Sequence, residues 1–398
     1  MATTPHLAPR LTRRQLLAAG ALLPASRLSL AASPAAGDAR LVLMILRGGL
    51  DGLGAVPAPG DPDFAKARGA LASFAEPALP LSGLFALHPS LAQLHAMHGR
   101  GEMSVLHAVG LPYKERSHFE AQQLLESGGQ RPHEITTGWL GRALAANRGK
   151  GIALQAAVPL VLRGPATVDT WAPSALPDPT PDLVTRLSQL YETDADLARA
   201  LHRAQALRAE GMPNMQVGGM AGAPRAQPVV TLARRAAEFL GPSGSAQVAV
   251  LEMGGWDTHA NQSAPQGPLA NNLRQLDSAL GALRDGLIEN GRWPHTAVLV
   301  CTEFGRQVEV NGTQGTDHGS GGAAFVLGGA VAGGQVLADW PGLAPKDRFE
   351  GRDLRITTDL RAVIRTLLID HLRISRADVD RDALPGTANL PRVPILRS

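Results

Sequence analysis

Two short segments place a carboxylate and an imidazole nearly side by side among glycines. They are Asp257 and His259 in MGGWDTHANQ, and Asp317 and His318 in GTDHGSGG. Glycine-rich turns let the backbone bend sharply and approach a ligand. Carboxylate oxygen with imidazole nitrogen suits Zn, Mn or Fe, and a more oxygen-rich shell would admit Mg or Ca. Asp51 and Glu303 extend the set, giving Asp51, Asp257, His259, Glu303, Asp317 and His318 as candidate ligands for one or two divalent cations. Two clustered cations could activate a nucleophile and stabilise charge on a phosphoryl or sulfuryl group. Each pair alone is a weak signal, because a lone His in such a turn is more often a surface or hydrogen-bonding residue. Cys301 is the one cysteine, so CxxC zinc and iron–sulfur sites and any internal disulfide are excluded.

Four further residues are candidates for catalysis. Ser117 precedes a predicted helix, where backbone N–H groups would steady developing negative charge on a substrate it attacks. Its plainer reading is an N-cap, with Glu120 three residues on completing a capping box. His118 beside it could be a metal ligand, a general acid or neither. Arg116 and Arg306 could clamp an oxyanion through paired donors, or each could be the ion-pair partner of a nearby acid. Arg47 has the same two readings. His88, His95, His98 and His107 crowd one region without a spacing that ties them to one face, and read as structural. Trp139 and Trp340 read as packing residues or the lining of a pocket mouth, and Cys301 as a small buried hydrophobe. The sequence contains neither a GxxxxGK phosphate loop nor a GxSxG elbow.

These residues need a frame that gathers them. Continuous apolar runs at 41–46, 103–108, 246–253, 296–302 and 323–327 predict buried strands, several ending in glycine pairs. Helices are predicted at 88–99, from Ser117 to the stop at Gly128, at 139–147, 181–209, 228–240 and 358–371. The clearest carries Leu273, Leu276, Leu280, Leu283 and Leu287 at spacings of three and four. Residues 152–162 read as a strand or two, 55–85 as mainly loops, and 211–224 as a break. Apolar strands separated by long helices predict an α/β fold, a three-layer α/β/α sandwich on a mostly parallel sheet. Sites in such sheets form beyond the carboxyl ends of the strands. Asp51, Asp257, His259 and Glu303 each follow a predicted strand, whereas Asp317 and His318 precede one.

The first 36 residues read as a separate export signal. Arg13 and Arg14 precede the apolar run 16–23, and small residues at 31–36 mark the cleavage zone. TRRQLL resembles a twin-arginine signal, so the expected partner is the export machinery that carries folded proteins out of the bacterial cytoplasm, to the periplasm or beyond. The run is too short and interrupted for a membrane span. The whole chain is +3, but the leader holds four arginines and no acid; its removal leaves 34 basic against 35 acidic residues. A nearly neutral body without a Lys/Arg stripe gives no nucleic-acid footprint. Residues 37–398 then form one domain with loop insertions, in which Leu, Val and Ala must build the core because aromatics make up only 4% of the chain. No feature fixes an oligomeric state.

Taken together, LRGGLDGLGAV, YKERSHFEAQQLLESG, MGGWDTHANQ, CTEFGRQVEVNG, GTDHGSGG and VLGGAVAGG stand in the order seen in the bacterial DUF1501 family, which the chain resembles over roughly residues 40–375. That family is similar to the alkaline phosphatase and sulfatase superfamily. The resemblance implies one large alkaline-phosphatase-like α/β/α domain, a metal pair acting on phosphate or sulfate esters, and often a Ser or Thr nucleophile. It gives Asp51 the place of a metal-binding acid, Ser117 that of the nucleophile, Asp257 and His259 that of an Asp/His ligand pair, and His318 that of a late histidine. Glu303 stands where an Asp-His pair is expected, and Phe304 replaces the His. The implied function is an exported metal-dependent hydrolase of small-molecule or polymer esters. The alternatives are a non-catalytic periplasmic binding or structural protein and a metal-dependent phosphotransferase or isomerase.

Overall fold

Strand β1 (Arg40–Leu46) is buried along its whole length. Val42, Met44 and Leu46 enter one core, while Leu41, Leu43 and Ile45 enter another on the opposite face. Side chains alternate across a strand, so one that is apolar on both faces needs cover on both. The structure, a computed structural model, describes residues 38–173, 179–209, 228–241, 246–262 and 267–397. The leader at 1–36 and the break at 211–224 lie outside the described residues. From Asp38 onward the chain belongs to one unit.

The remaining strands are β2 (Leu79–Pro80), β3 (Ala86–Leu87), β4 (Met103–Gly110), β5 (Lys150–Ala153), β6 (Thr167–Thr170), β7 (Val248–Met253), β8 (Thr296–Thr302), β9 (Gly322–Leu327), β10 (Val336–Leu337) and β11 (Thr358–Asp359). The main sheet has the order β10-β4-β9-β8-β1-β7-β5-β6, with β11 also on β4; β2 and β3 form a separate antiparallel ribbon. Pairing in the main sheet is parallel except where β9 meets β8 and β4. Leu46 stands opposite Met253 and Thr302, so β1, β7 and β8 end together. β4 is antiparallel to β9 and so runs with β8, ending at the same rim. β9 runs the other way, so the loop before it starts from that rim too. One reversed strand thus brings a preceding loop to the place that following loops occupy elsewhere.

One face is covered by helices Ala92–Gly99, Pro228–Leu240 and Pro268–Glu289, and the other by His118–Ser127, Trp139–Asn147 and Leu360–Thr366. This is a three-layer α/β/α arrangement, with a mixed and mostly parallel sheet. All five leucines of the periodic stripe in Pro268–Glu289 are buried, and truncating one to Ala costs about 2–5 kcal/mol.

Some expected elements differ. The stretch 181–209 is two helices, Pro181–Leu190 and Ala195–Ala209, because Asp194 Oδ1 accepts from the N–H groups of Asp196 and Leu197 (both 3.0 Å) and starts a second helix. Residues 152–162 hold only the end of β5, then a 3-10 turn, Leu160–Leu162, after Pro159. Within 55–85 lie the short helix Phe64–Arg68 and β2, whose partner β3 follows directly. The last helix starts two residues late, since Thr358 and Asp359 pair with β4, and it widens to a π-helical turn at Leu367–His371. No helix among the described residues is long and apolar enough to cross a membrane.

Candidate metal centre

Four segments at the common rim deliver parts of one cluster. Asp257 and His259 follow β7, Glu303 follows β8, His318 precedes β9, and His118 opens the helix after β4. Gly48, after β1, lets these loops close up. Its φ is +120°, and a Cβ there would lie 2.6 Å from the Asp257 amide nitrogen. Its own N–H donates to Glu303 Oε1 at 2.8 Å.

Three imidazoles turn the same edge inward. His118 Nε2 lies 3.0 Å from His318 Nε2, and His259 Nε2 lies 3.1 Å from the same atom. Asp257 Oδ1 completes the group, 3.1 Å from His318 Nε2 and 2.9 Å from His259 Nε2, while Oδ2 is 3.5 Å from His118 Nε2. Every outward nitrogen faces an acceptor: His118 Nδ1 meets Glu303 Oε1 at 2.8 Å, His259 Nδ1 meets Asp317 Oδ1 at 3.1 Å, and His318 Nδ1 meets the Arg116 carbonyl at 2.9 Å. These partners assign the ring protons to Nδ1. Three Nε2 lone pairs and a carboxylate then face one another, an arrangement that a shared proton or a cation reconciles.

The donor set suits a cation. Donors about 2.1 Å from a common ion are about 3.0 Å apart at right angles and about 3.4 Å apart at the tetrahedral angle. The contacts to Asp257 Oδ1 and between the imidazole pairs, 2.9–3.1 Å, lie near the first spacing. His118, Asp257 and His318 have donor atoms all within 4.8 Å of one another and form a cluster capable of coordinating a divalent metal. Imidazole Nδ1–H donating to a carboxylate or carbonyl is the usual support of a metal-bound His.

The electrostatics agree. The hydrogen bond to Glu303 raises the His118 pKa above the ordinary imidazole value, against the opposing effect of burial. Burial lowers that of His318, helped by His118 and Arg306. Burial alone would raise Asp257, but Arg306 and the neighbouring imidazoles hold it below the usual carboxylate range. Glu303 behaves likewise: burial pushes its pKa up, and bonds from His118, Gln122 and Gly48 bring it down further. Asp317 is lowered by the Asn311 amide first and His259 after it.

The predicted residues divide into three groups. Asp257, His259, His318 and His118 meet at the centre. Glu303 and Asp317 stand behind the rings; the Glu303 side chain is fully buried, and its oxygens also accept from Gln122 Nε2 (3.0 Å) and Thr302 Oγ1 (2.9 Å). Asp51 is apart from the centre, its carboxylate bound by the Arg68 guanidinium and the Gln262 amide. Both arginines take their ion-pair reading. Arg306 donates to Asp257 Oδ1 at 2.6 Å, and Arg116 donates to Asp353 Oδ2 at 2.8 Å and Glu350 Oε2 at 2.5 Å. Arg116 serves the centre through its carbonyl, in a left-handed backbone conformation (φ +60°). Arg47 pairs with Glu126 and Glu252.

Ser117 is the N-cap residue by backbone conformation, yet the capping box does not form. Tyr113 intervenes: its O–H donates to Glu120 Oε2 at 2.5 Å, and its oxygen accepts the Ser117 N–H at 3.3 Å. Burial and that bond to Glu120 push the Tyr113 phenol up to about 12. The Ser117 hydroxyl makes no capping bond. Phe304 is buried, its ring centroid 4.8 Å from that of His118 and 5.1 Å from that of His318. It walls the centre and offers no donor atom.

Sequence reading missed Gln122, Asn311, Gln262 and Arg68. Gln122 lies four residues after His118, so helical spacing alone places it on the same face. Gln262 and Asn311 are single polar residues in loops and Arg68 ends a short helix, none of them with a local signal. His107 and Cys301 are buried, as read, and Trp139 and Trp340 pack with their indole N–H groups bonded to the Leu125 carbonyl and Asp61.

These observations define a class: a three-layer α/β/α protein with a His/Asp cluster of metal-binding type at the carboxyl rim of its sheet. Residues 81–382 match the family described as "Protein of unknown function (DUF1501)", and the chain belongs to that family. No curated protein matches it. Solved structures similar to it include the PsFucS1 sulfatase from Pseudoalteromonas sp., at 15% identity over 90% of this chain and 71% of that one, with a TM-score of 0.43. The phosphonate monoester hydrolase of Agrobacterium radiobacter shares 12% over 84% and 74%, with a TM-score of 0.41. The C-terminal periplasmic domain of EcEptC from Escherichia coli, in complex with Zn, shares 10% over 89% and 88%, with a TM-score of 0.40.

Proposed function

We propose that this chain is an exported, metal-dependent hydrolase of phosphate or sulfate esters. One observation carries the reading: the Nε2 atoms of His118, His259 and His318 converge with Asp257 Oδ1 while their Nδ1 atoms face acceptors. His118, Asp257 and His318 would hold the ion, with His259 Nε2 beside them, 3.1 Å from His318 Nε2. A divalent cation bound there would supply Lewis-acid polarisation of an ester oxygen. The set supports one ion rather than two, because Arg68 neutralises Asp51 and Phe304 offers no ligand.

The chain supplies the rest. Glu303, Asp317 and the Arg116 carbonyl keep each ring in the tautomer that leaves Nε2 free. Arg306 fixes Asp257. Ser117, its hydroxyl free of a capping bond, is the proposed nucleophile, and the first-turn N–H groups of His118–Ser127 favour the anionic group it attacks. A bond forms from Ser117 Oγ to phosphorus or sulfur as the bond to the ester oxygen breaks and the alcohol departs with a proton. Water then cleaves the seryl ester, releasing phosphate or sulfate and restoring the hydroxyl. The leader at 1–36 supports export by the twin-arginine route, with residues 37–398 as the single working domain.

The test is metal analysis of the exported protein with a screen of phosphate and sulfate esters. About one metal equivalent is expected, with turnover that chelation removes and metal restores. Bound metal without turnover of either ester class would overturn the hydrolase reading in favour of a non-catalytic binding protein.

A further inference from the structure

Behind the centre, a buried chain of polar groups runs from β1 to Asp257. Arg68 and Asp51 form an ion pair with both side chains almost fully buried. Gln262, 1% exposed, donates its amide to Asp51 Oδ2. Its oxygen accepts from Thr258 Oγ1 and Thr316 Oγ1, both at 2.8 Å. The Thr316 hydroxyl accepts from Arg306 Nε at 3.2 Å, and Arg306 Nη1 donates to Asp257 Oδ1 at 2.6 Å. Polarity is consistent at every link. Asp51 can only accept, so it takes the amide N–H; the two hydroxyls donate to the amide oxygen; Thr316, its proton spent, accepts from Arg306.

We propose that Gln262 is a positioning residue for the metal centre, transmitting the fixed geometry of the Asp51–Arg68 pair through Thr316 and Arg306 to Asp257. This rests on the reading that the centre binds a cation. Gln262 touches none of the ring nitrogens. Its leverage comes from where it sits: it bonds at once to Asp51 in the loop beyond β1, to Thr258 in the turn after β7 and to Thr316 in the loop before β9, three segments that must hold register for Asp257 to face His318. A buried polar network linked by hydrogen bonds favours one arrangement, and losing a central member leaves several buried groups without partners.

The experiment measures binding of Zn²⁺ and Co²⁺ by the full exported chain and by Gln262→Met, which keeps length and removes both hydrogen-bonding ends. Groups behind metal ligands typically change affinity about 10–100-fold, and the low end, about tenfold, is expected here. The visible spectrum of bound Co²⁺ should change with it. Asp277→Asn is the control: Asp277 holds the N–H groups of Gln93 and Leu94, on a different helix end, and its loss should lower the melting temperature without moving affinity. A merely structural Gln262 would behave as that control does, and equal affinity and an unchanged Co²⁺ spectrum in Gln262→Met would overturn the proposal. Should Gln262→Met not fold, Thr316→Val cuts the next link, and equal affinity there has the same force. A parent chain that binds neither metal would instead sink the reading of the centre itself.

Discussion

His118 and His318 face each other through their Nε2 atoms at 3.0 Å, although an oxygen acceptor draws the ring proton to Nδ1 in both. Two lone pairs held that close need a positive charge between them. Replacing His318 with Ala removes the donor that touches both other rings and Asp257, so metal content should fall well below that of the parent protein. Metal analysis after gel filtration checks this, and an unchanged metal-to-protein ratio would remove His318 from the ligand set. Binding should also weaken as pH falls through the imidazole range, because protons compete for the same lone pairs.

Ser117→Ala separates two roles for one hydroxyl. An N-cap serine that bonds its helix costs about 1 kcal/mol to remove. Tyr113 already occupies Glu120 and the Ser117 N–H, and the hydroxyl makes no capping bond. The variant should therefore lose less than about 0.5 kcal/mol in urea unfolding, while hydrolysis and any covalent phosphoryl or sulfuryl adduct disappear. Full turnover in the variant would exclude Ser117 as nucleophile, and a cap-sized loss of stability would restore the plainer reading.

The strands and the rim were legible because five apolar runs end in glycines or acids, and parallel strands bring their ends together. The reversal of β9 has no such signature; its run AAFVL reads like the others. That reversal explains why His318 reaches the centre from before a strand. His118 stayed open between ligand and acid because its ring is oriented by Glu303, 185 residues away. Asp51 looked like a ligand for a sound local reason, its place after β1. What neutralises it, Arg68, is an unremarkable residue of a short helix. Side-chain pairing across the rim decides such cases, and sequence spacing carries little of it.

Arg68→Met tests that pairing. Arg68 and Asp51 are 0% and 1% exposed at the side chain, so removing the guanidinium leaves a carboxylate buried without its charge partner. Breaking such a pair on one side costs about 3–5 kcal/mol. The double variant Asp51→Asn/Arg68→Met, with no charge left behind, should recover a good part of the loss. Urea unfolding of both variants decides it. A loss under about 1 kcal/mol in Arg68→Met would mean that Asp51 finds compensation elsewhere, and would reopen it as a cation ligand.

His107 sets an acid limit on the fold. It is fully buried, stacked on Phe85 and edge-on to Trp340, and burial holds its pKa down at about 4. Its neutral ring is satisfied on both sides: Nε2–H donates to the Val56 carbonyl at 2.9 Å, and Nδ1 accepts the Ala108 N–H at 2.9 Å. A second proton would go on Nδ1 and displace the Ala108 bond. Because the folded value lies below the unfolded one of about 6.5, the unfolded chain binds more protons between the two. The stabilisation is therefore complete above pH 6.5 or so and is lost as pH falls toward 4, by up to about 3 kcal/mol for this residue. His107→Gln should be less stable than the parent at pH 7 and should show a shallower decline between pH 6.5 and 4. Parallel curves for parent and variant across that window would mean that His107 titrates at its ordinary value or already carries its proton in the fold.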